Sequence, residues 1–468
     1  LGRNKKDKPV LVGIEITDVA AEGKALCRID DKVVFVNGAV PGDIVDIQIT
    51  RKRSSFMEGN AINFHKYSED RVAPMCKYFG TCGGCKWQTL PYEKQLFYKE
   101  REVTQNLKRL GKIELPKPLP ILASANREYY RNKLEYTFSN RRWLTEEEIK
   151  NSDAIERNGV GFHIPGLFDK VVDIDDCHLQ QSPSNEIRNW IRDYALKNGV
   201  TFYDLRAQQG MLRTLVIRTA STGDIMVIVA FGEDNKATIN QLLDDLKAAF
   251  PQITSLMYAI NTKVNDSLTD QTILLHSGQD YIMEEMEGIH FKIGPKSFYQ
   301  TNSLQACELY KQVREFADLG INDVVYDLYT GTGTIANFVA RRCKKVVGIE
   351  YVPEAIEDAK VNSQINDINN TEFFAGDMKD VLKLDFISQY GKPDVVIVDP
   401  PRAGMHPDVV ETLIKVSAPK LIYVSCNSAT QARDLQMLDK YYKVVAYRPV
   451  DMFPHTHHVE SVVSLRLR

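Results

Sequence analysis

An alternation that begins at about residue 297 restricts the fold of this chain more than any other feature. The apolar runs DVVYDLYTG, KKVVGIEY, NTEFFAGD, PDVVIVDPP, KLIYVSCN, KVVAYRPVD and VESVVSLRL follow one another, and helical segments separate most of them. Strands that are apolar throughout need cover on both faces, and intervening helices supply it. The region is therefore expected to form a doubly wound, mainly parallel α/β sheet. Only a short loop joins the last two runs, so they are expected to pair as an antiparallel hairpin. Such a sheet binds ligands at the carboxyl ends of its strands.

The 468 residues exceed what one core accommodates. Residues 1–66 read as short strands, VLVGIEI, GKALCRI, KVVFV, DIVDIQI and GNAINF, separated by turn signals such as GAVPGD. Many short strands in so few residues predict a small barrel of the oligonucleotide-binding kind. Its tip, TRKRSSF, is basic with an aromatic and suits a phosphate backbone and a stacked base. Residues 67–290 are expected to form a central α+β domain. It opens on a cysteine-rich stretch, continues with a helix over 91–112 and the strands KLEYTFS, GVGFHI, LRTLVIRT and DIMVIVAF, and includes a polar loop or insertion at 141–158. Residues 291–468 form the doubly wound domain.

No apolar run is long enough for a membrane span, and the basic start LGRNKKDKPV carries no visible signal peptide. Eight cysteines in a chain of this length then suggest a reducing cytoplasm, which makes disulfides the weakest use for them. Net charge is −3, but residues 71–135 hold 13 Lys and Arg against 6 Asp and Glu. A basic segment on an otherwise acidic chain fits a polyanion footprint; a solvated face would show the same charge.

DLYTGTGT (327–334) has the order strand, glycine turn, helix. Glu350, about twenty residues on, ends the next strand and can accept from both hydroxyls of a ribose. Asp377 and Asp399 end the two strands after it. A dinucleotide would favour a third glycine, where this chain has Thr334-Ile335-Ala336. S-adenosylmethionine has no phosphate to cradle and fits better. Cys426 in YVSCNSAT ends a strand in the same crevice, where a thiolate can act as nucleophile. A small buried hydrophobe is the ordinary alternative. DMFPHTHHVE brings His455, His457 and His458 before Glu460, a crowded loop rather than a metal site. In CKYFGTCGGCKW, Cys76, Cys82 and Cys85 ask for a fourth ligand; Cys177 is the best offer, with His178 beside it. Spacing leaves zinc and iron open. Cys27, Cys307 and Cys343 are left as structural.

SFYQTN (297–302), DLYTGTGT, GIEY, DPPRAG (399–404), YVSCN and DMFPHTHHVE, in this order, resemble the motifs of the RNA uracil-C5 methyltransferases. The N-terminal barrel resembles their TRAM domain, and the likeness covers nearly the whole chain. The resemblance implies a class I methyltransferase sheet and transfer of a methyl group from S-adenosylmethionine to C5 of a uridine. Cys426 would add to C6, and Glu460 would remove the C5 proton. Gln300, Tyr329, Thr334, Glu350, Asp377 and Asp399 would line the cofactor site. The family often has Phe where Tyr329 stands and Asn where Thr334 stands. For the enolate oxygen, Arg402 and a backbone amide are both candidates. A [4Fe–4S] cluster on Cys76, Cys82, Cys85 and Cys177 is implied in the same way, with zinc as the lesser possibility.

By the same resemblance, a TRAM-like barrel together with the cysteine cluster implies ribosomal RNA, of the 23S type, as substrate. Transfer RNA is the alternative, and a non-catalytic RNA-binding or assembly factor is the rival of another class. No protein partner is evident, and a monomer suffices. A uridine hidden in a helix would have to be flipped out at about a few kcal/mol, which barrel and basic segment would repay by binding RNA.

Overall fold

A computed structural model describes residues 8–151 and 155–468 of the chain. It divides into two compact units: the residues up to Glu102 together with Phe453–His458, and Val103–Met452 together with Val459–Arg468.

The first unit opens with strands β1 (Val10–Glu15), β2 (Asp18–Val19), β3 (Ala25–Ile29), β4 (Lys32–Asn37), β5 (Ile44–Lys52) and β6 (Phe56–Lys66), in the spatial order β1-β5-β6-β4-β3-β2. β1 pairs with β5 while β2, two residues further along, pairs with β3. One kinked stretch thus bridges both ends of the sheet and closes a barrel around Ile16, Cys27, Val34, Val36, Val45 and Ile47. The Asp30-Asp31 turn has both residues at positive φ, the geometry of a two-residue hairpin. Buried Asp43 accepts from the amides of Val40 (2.7 Å) and Ser68 (2.9 Å) and from Arg71 Nε (2.9 Å), tying the barrel to the following loop. That loop carries Cys76, Cys82 and Cys85 and leads into helix α1 (Tyr92–Arg109), which runs from the first unit into the second.

In the second unit, β7 (Lys133–Ser139) precedes a short helix, α2 (Glu146–Asn151). The loop expected at 141–158 is thus partly helical. The Thr145 amide donates to Glu148 Oε2 (2.8 Å) and the Glu148 amide to Thr145 Oγ1 (3.2 Å), a capping box inside a polar stretch. Residues 152–154 of that stretch lie outside the described residues. β8 (Gly159–Ile164), β9 (Leu167–Asp173), helix α3 (Ser184–Asn198), β10 (Leu212–Thr219), β11 (Ile225–Phe231), helix α4 (Lys236–Ala249), β12 (Ser255–Ile260) and β13 (Ile273–Gly278) complete a seven-stranded sheet ordered β13-β12-β11-β10-β7-β8-β9. It is antiparallel except between β11 and β12, where α4 makes the crossover. The hairpin β14 (Ile282–Met286) and β15 (Ile289–Ile293) follows.

Helix α5 (Ser303–Ala317) then leads into the alternating region. There β16 (Val324–Leu328), α6 (Thr334–Ala340), β17 (Lys345–Glu350), α7 (Pro353–Ile365), β18 (Thr371–Ala375), α8 (Met378–Val381), α9 (Leu384–Tyr390), β19 (Val395–Val398), α10 (Pro407–Val416), β20 (Lys420–Ser425), α11 (Ser428–Leu438), β21 (Tyr442–Val450) and β22 (Glu460–Leu467) form a sheet ordered β18-β17-β16-β19-β20-β22-β21. The five strands from β18 to β20 are parallel, and β22 is antiparallel to both neighbours. The expected hairpin forms, with β22 inserted between β20 and β21, so Glu460 starts its strand next to the end of the Cys426 strand: Ser425 pairs with Ser461. No helix among the described residues is long and apolar enough to cross a membrane.

Candidate active site

The carboxyl ends of β16, β17, β19 and β20 and the start of β22 bring most of the expected residues into the second unit's crevice. Tyr329 leaves β16 with φ +65°, and the glycine turn follows. A Cβ on Gly331 would meet nothing within 4 Å, so the turn opens onto free space. At Gly333 a Cβ would lie 2.9 Å from that of Ala359, so this glycine lets α6 and α7 approach. Glu350 braces the turn: one carboxylate oxygen accepts from the Gly331 amide (3.1 Å) and the other from the Val352 amide (3.0 Å). Thr334 is buried and exchanges a hydroxyl hydrogen bond with Thr332 (3.3 Å). Asp377 caps α8, accepting from the Lys379 amide. Buried Asp327 accepts from Thr330 Oγ1 (2.5 Å) through Oδ2, while its Oδ1 makes no hydrogen bond of ordinary geometry.

Open space at Gly331 and a carboxylate at the end of β17 fit a ligand with a ribose, as S-adenosylmethionine has.

Cys426 is half-buried between the end of β20 and Asn427, whose side chain caps α11. A helix amino end favours a thiolate, and the Arg402 guanidinium donates to the sulfur. Burial and then the charges of Glu460 and Asp399 outweigh the guanidinium and push the thiol up to about 11. The Arg402 backbone is fixed from the nucleophile's own turn: Asn427 Nδ2 and Thr430 Oγ1 each donate to its carbonyl at 3.1 Å. Gly404 is required beside it, because a Cβ there would sit 2.6 Å from Arg433 Nη2 and 2.7 Å from Asp434 Oδ2.

Glu460 is buried at the start of β22, and burial followed by the neighbouring Asp399 raises its carboxyl to about 8, against the pull of Arg402. Burial and then Asp327 raise Asp399 to about 7; burial likewise raises Asp327 to about 7. Three carboxyls thus share one crevice and hold protons near neutral pH. Sequence reasoning missed Tyr310. Its phenol is buried, hydrogen-bonds with Gln300, and is kept neutral by burial and by Asp399, Asp327 and Glu460. Its position on α5 looks like an ordinary core position, so no local signal marks it. Asp327 lies within the glycine motif near the end of β16, and that place is the sequence signal for it.

Cys76, Cys82 and Cys85 are half-buried in the first unit, and Cys177 is buried in the second. The Gly84 amide donates to Cys82 Sγ (3.4 Å), and the Cys177 amide donates to Asn185 Oδ1 (2.9 Å). Among the described residues, no group of three or more His, Cys, Asp or Glu side chains is arranged to hold a metal ion. His455, His457 and His458 belong to the first unit, although they lie just before Glu460 in the chain.

Comparison with known proteins gives a consistent result. Residues 240–468 match the family described as tRNA (uracil-5-)-methyltransferase, and residues 11–62 match the TRAM domain. An uncharacterised RNA methyltransferase of Bacteroides thetaiotaomicron is 58% identical over 454 residues, covering 96% of this chain and all of that protein. One from Porphyromonas gingivalis is 57% identical over 460 residues, covering 97% and 99%. Among solved structures, a Pyrococcus abyssi tRNA (uracil-54, C5)-methyltransferase in complex with S-adenosyl-L-homocysteine superposes with a TM-score of 0.75 at 27% identity, covering 97% of this chain and all of that one.

Proposed function

Because the chain belongs to the RNA uracil-5-methyltransferases, an S-adenosylmethionine-dependent family, we propose that it methylates C5 of a specific uridine through a covalent Cys426 adduct. The observation that carries this reading is the adjacency of β20 and β22, which sets a nucleophile and a buried carboxyl at neighbouring strand ends. Bound S-adenosylmethionine supplies the electrophilic methyl group; Gln300, Tyr329, Thr334, Glu350, Asp377 and Asp399 would hold it, with Asp327 beside them.

C5 of uracil is a poor nucleophile. Cys426 activates it by bonding to C6, which moves electron density onto C5 and O4. With its thiol near 11, only about one Cys426 in 10⁴ is ionised at pH 7 in the free enzyme, so the proton must be taken as the base arrives. Asp399, the more acidic of the two carboxyls that face it, is the acceptor. Arg402 stabilises the thiolate and then the enolate oxygen. Once C5 bears the methyl, Glu460 removes the C5 proton, and the electron pair left behind expels Cys426. A carboxyl held near 8 is a strong base for this step once ionised.

The RNA is proposed to be ribosomal, of the 23S type, in the cytoplasm. A transfer RNA is the second reading, which the tRNA substrate named for the Pyrococcus protein favours. A [4Fe–4S] cluster on Cys76, Cys82, Cys85 and Cys177 is proposed as a structural tie with no step in the chemistry. Iron and sulfide analysis with an absorbance near ~400 nm checks it, and zinc alone would refute it. RNA carrying 5-fluorouridine tests the central proposal, since fluorine cannot leave as a proton. The expected result is a stable protein–RNA adduct on the peptide containing residue 426. An adduct elsewhere, or none, rejects the mechanism. Mapping 5-methyluridine in ribosomal and transfer RNA, with and without the protein, decides the substrate.

A further inference from the structure

The loop that leads into Glu460 is held by side chains that have no place in the chemistry above. Within the first unit, α1 contributes Gln95 and Lys99, both fully buried. Gln95 Oε1 accepts from the His455 amide (2.8 Å). Its Nε2 donates to the carbonyls of Trp87 (3.0 Å) and Leu90 (2.9 Å) and lies 3.3 Å from His455 Nδ1. Lys99 Nζ donates to the Phe453 carbonyl (3.1 Å). Just after Cys85, the amides of Lys86 and Trp87 both donate to the His455 carbonyl, at 2.9 and 3.0 Å. The Trp87 indole is itself held by the Gly23 carbonyl (3.0 Å).

His455 has φ +65°, a left-handed backbone in a residue other than glycine. Such a conformation persists where the surroundings over-determine it, and here polar contacts converge on both sides of its peptide units. Burying an amide and an ammonium group is costly unless each meets a partner, so core packing alone does not account for them. The far end of the loop is also fixed, by Asn302 Nδ2 donating to the Met452 carbonyl (2.9 Å). Glu460 is the fifth residue after His455, the last residue these contacts hold.

We infer that Gln95 and Lys99 are positioning residues for Glu460: by fixing Phe453–His455 they set where β22 begins, and so where its first carboxyl stands when the C5 proton leaves. This rests on the assignment of Glu460 as that base. It also gives the turn after the cysteines a part in proton removal, because Lys86 and Trp87 belong to the same clamp.

The test compares Gln95→Met and Lys99→Met with Glu460→Gln in the full chain. Hypomethylated total RNA from cells lacking the protein and methyl-tritiated S-adenosylmethionine are the reagents. Slow proton removal leaves a methylated covalent adduct, whereas general destabilisation does not. Turnover in both clamp variants is expected to fall on the order of 10–100-fold while labelled, denaturation-resistant adduct accumulates as in Glu460→Gln, with melting temperature and RNA affinity close to the parent's. Lys99→Met leaves the Gln95 contacts in place, and it carries the test if Gln95→Met does not fold. Labelled adduct in Glu460→Gln but in neither clamp variant overturns the inference alone. Its absence from Glu460→Gln overturns the base assignment and this inference with it. Failure of both clamp variants to fold makes the two residues structural and equally overturns it.

Discussion

Arg213 in the central sheet and the carboxyls at the strand ends of the C-terminal sheet are both buried ionisable groups, and their surroundings treat them in opposite ways. Arg213 donates to Asp266 (2.8 Å) and to the carbonyls of Asn261 (2.7 Å), Lys263 (2.5 Å) and Asn265 (2.8 Å), with the Tyr203 ring 4.4 Å from its guanidinium carbon. Every face of that cation is matched. Asp399 instead feels the charge of Asp327 and Glu460 that of Asp399, and Arg402, exposed at the crevice, is the cation that acts on Glu460. A matched charge holds a loop in place. Unmatched carboxyls take up and release protons near neutral pH, which a site that moves protons requires.

The comparison can be broken by substitution. The largest effect is expected at Cys426→Ser, which should lower turnover by at least about 10³-fold with RNA affinity and melting temperature unchanged, because it removes the bond-forming atom while a hydroxyl can still accept from Arg402. Measured turnover within tenfold of the parent would place the nucleophile elsewhere. Arg213→Met should act the other way, costing about 3–5 kcal/mol in chemical denaturation by stranding Asp266 and three carbonyls while sparing the chemistry of the remaining folded protein.

A pH series sharpens the contrast. Glu460 binds its proton more tightly in the folded chain, near 8 against an ordinary 4.5, so between those values the folded state carries a proton that the unfolded state has lost. Stability therefore declines as pH rises through this window, and the penalty is complete above 8. Asp399 adds a similar decline between 3.8 and about 7. Glu460→Gln and Asp399→Asn should each flatten the fall seen in denaturation curves; an unchanged slope would show that these carboxyls ionise freely. The smallest effect is expected at the barrel tip. Replacing Arg51, Lys52 and Arg53 by Ala should weaken RNA binding and reduce its salt dependence by about 0.7 per charge in log–log slope, with turnover at saturating RNA preserved.

Where local pattern carried the information, the sequence was legible. Apolar strands separated by helices gave the doubly wound sheet, and Gly331, Glu350 and Cys426 stand at strand ends because each lies one residue past an unbroken apolar run or within the turn that follows. The capping box at Thr145 and Glu148 was equally local, yet it was overlooked among the charges of 141–158. Tyr310 could not be read, since a buried tyrosine on a helix looks the same whether it faces aliphatic groups or three carboxyls. Nor could the Gln95 clamp, which joins residues 360 positions apart.

Sequence alone determined which chemical groups this chain owns and, through short-range spacing, which of them end a strand or begin a helix. Backbone geometry repeats over a few residues, so a few residues suffice to show it. Only the tertiary structure decided that β22 lies between β20 and β21, that Glu460 thereby stands beside the Cys426 strand, and that the carboxyls there titrate near neutral pH. Strand order is settled by contacts between distant parts of the chain, and a pKa by whatever replaces water around the group; neither is a property of neighbouring residues.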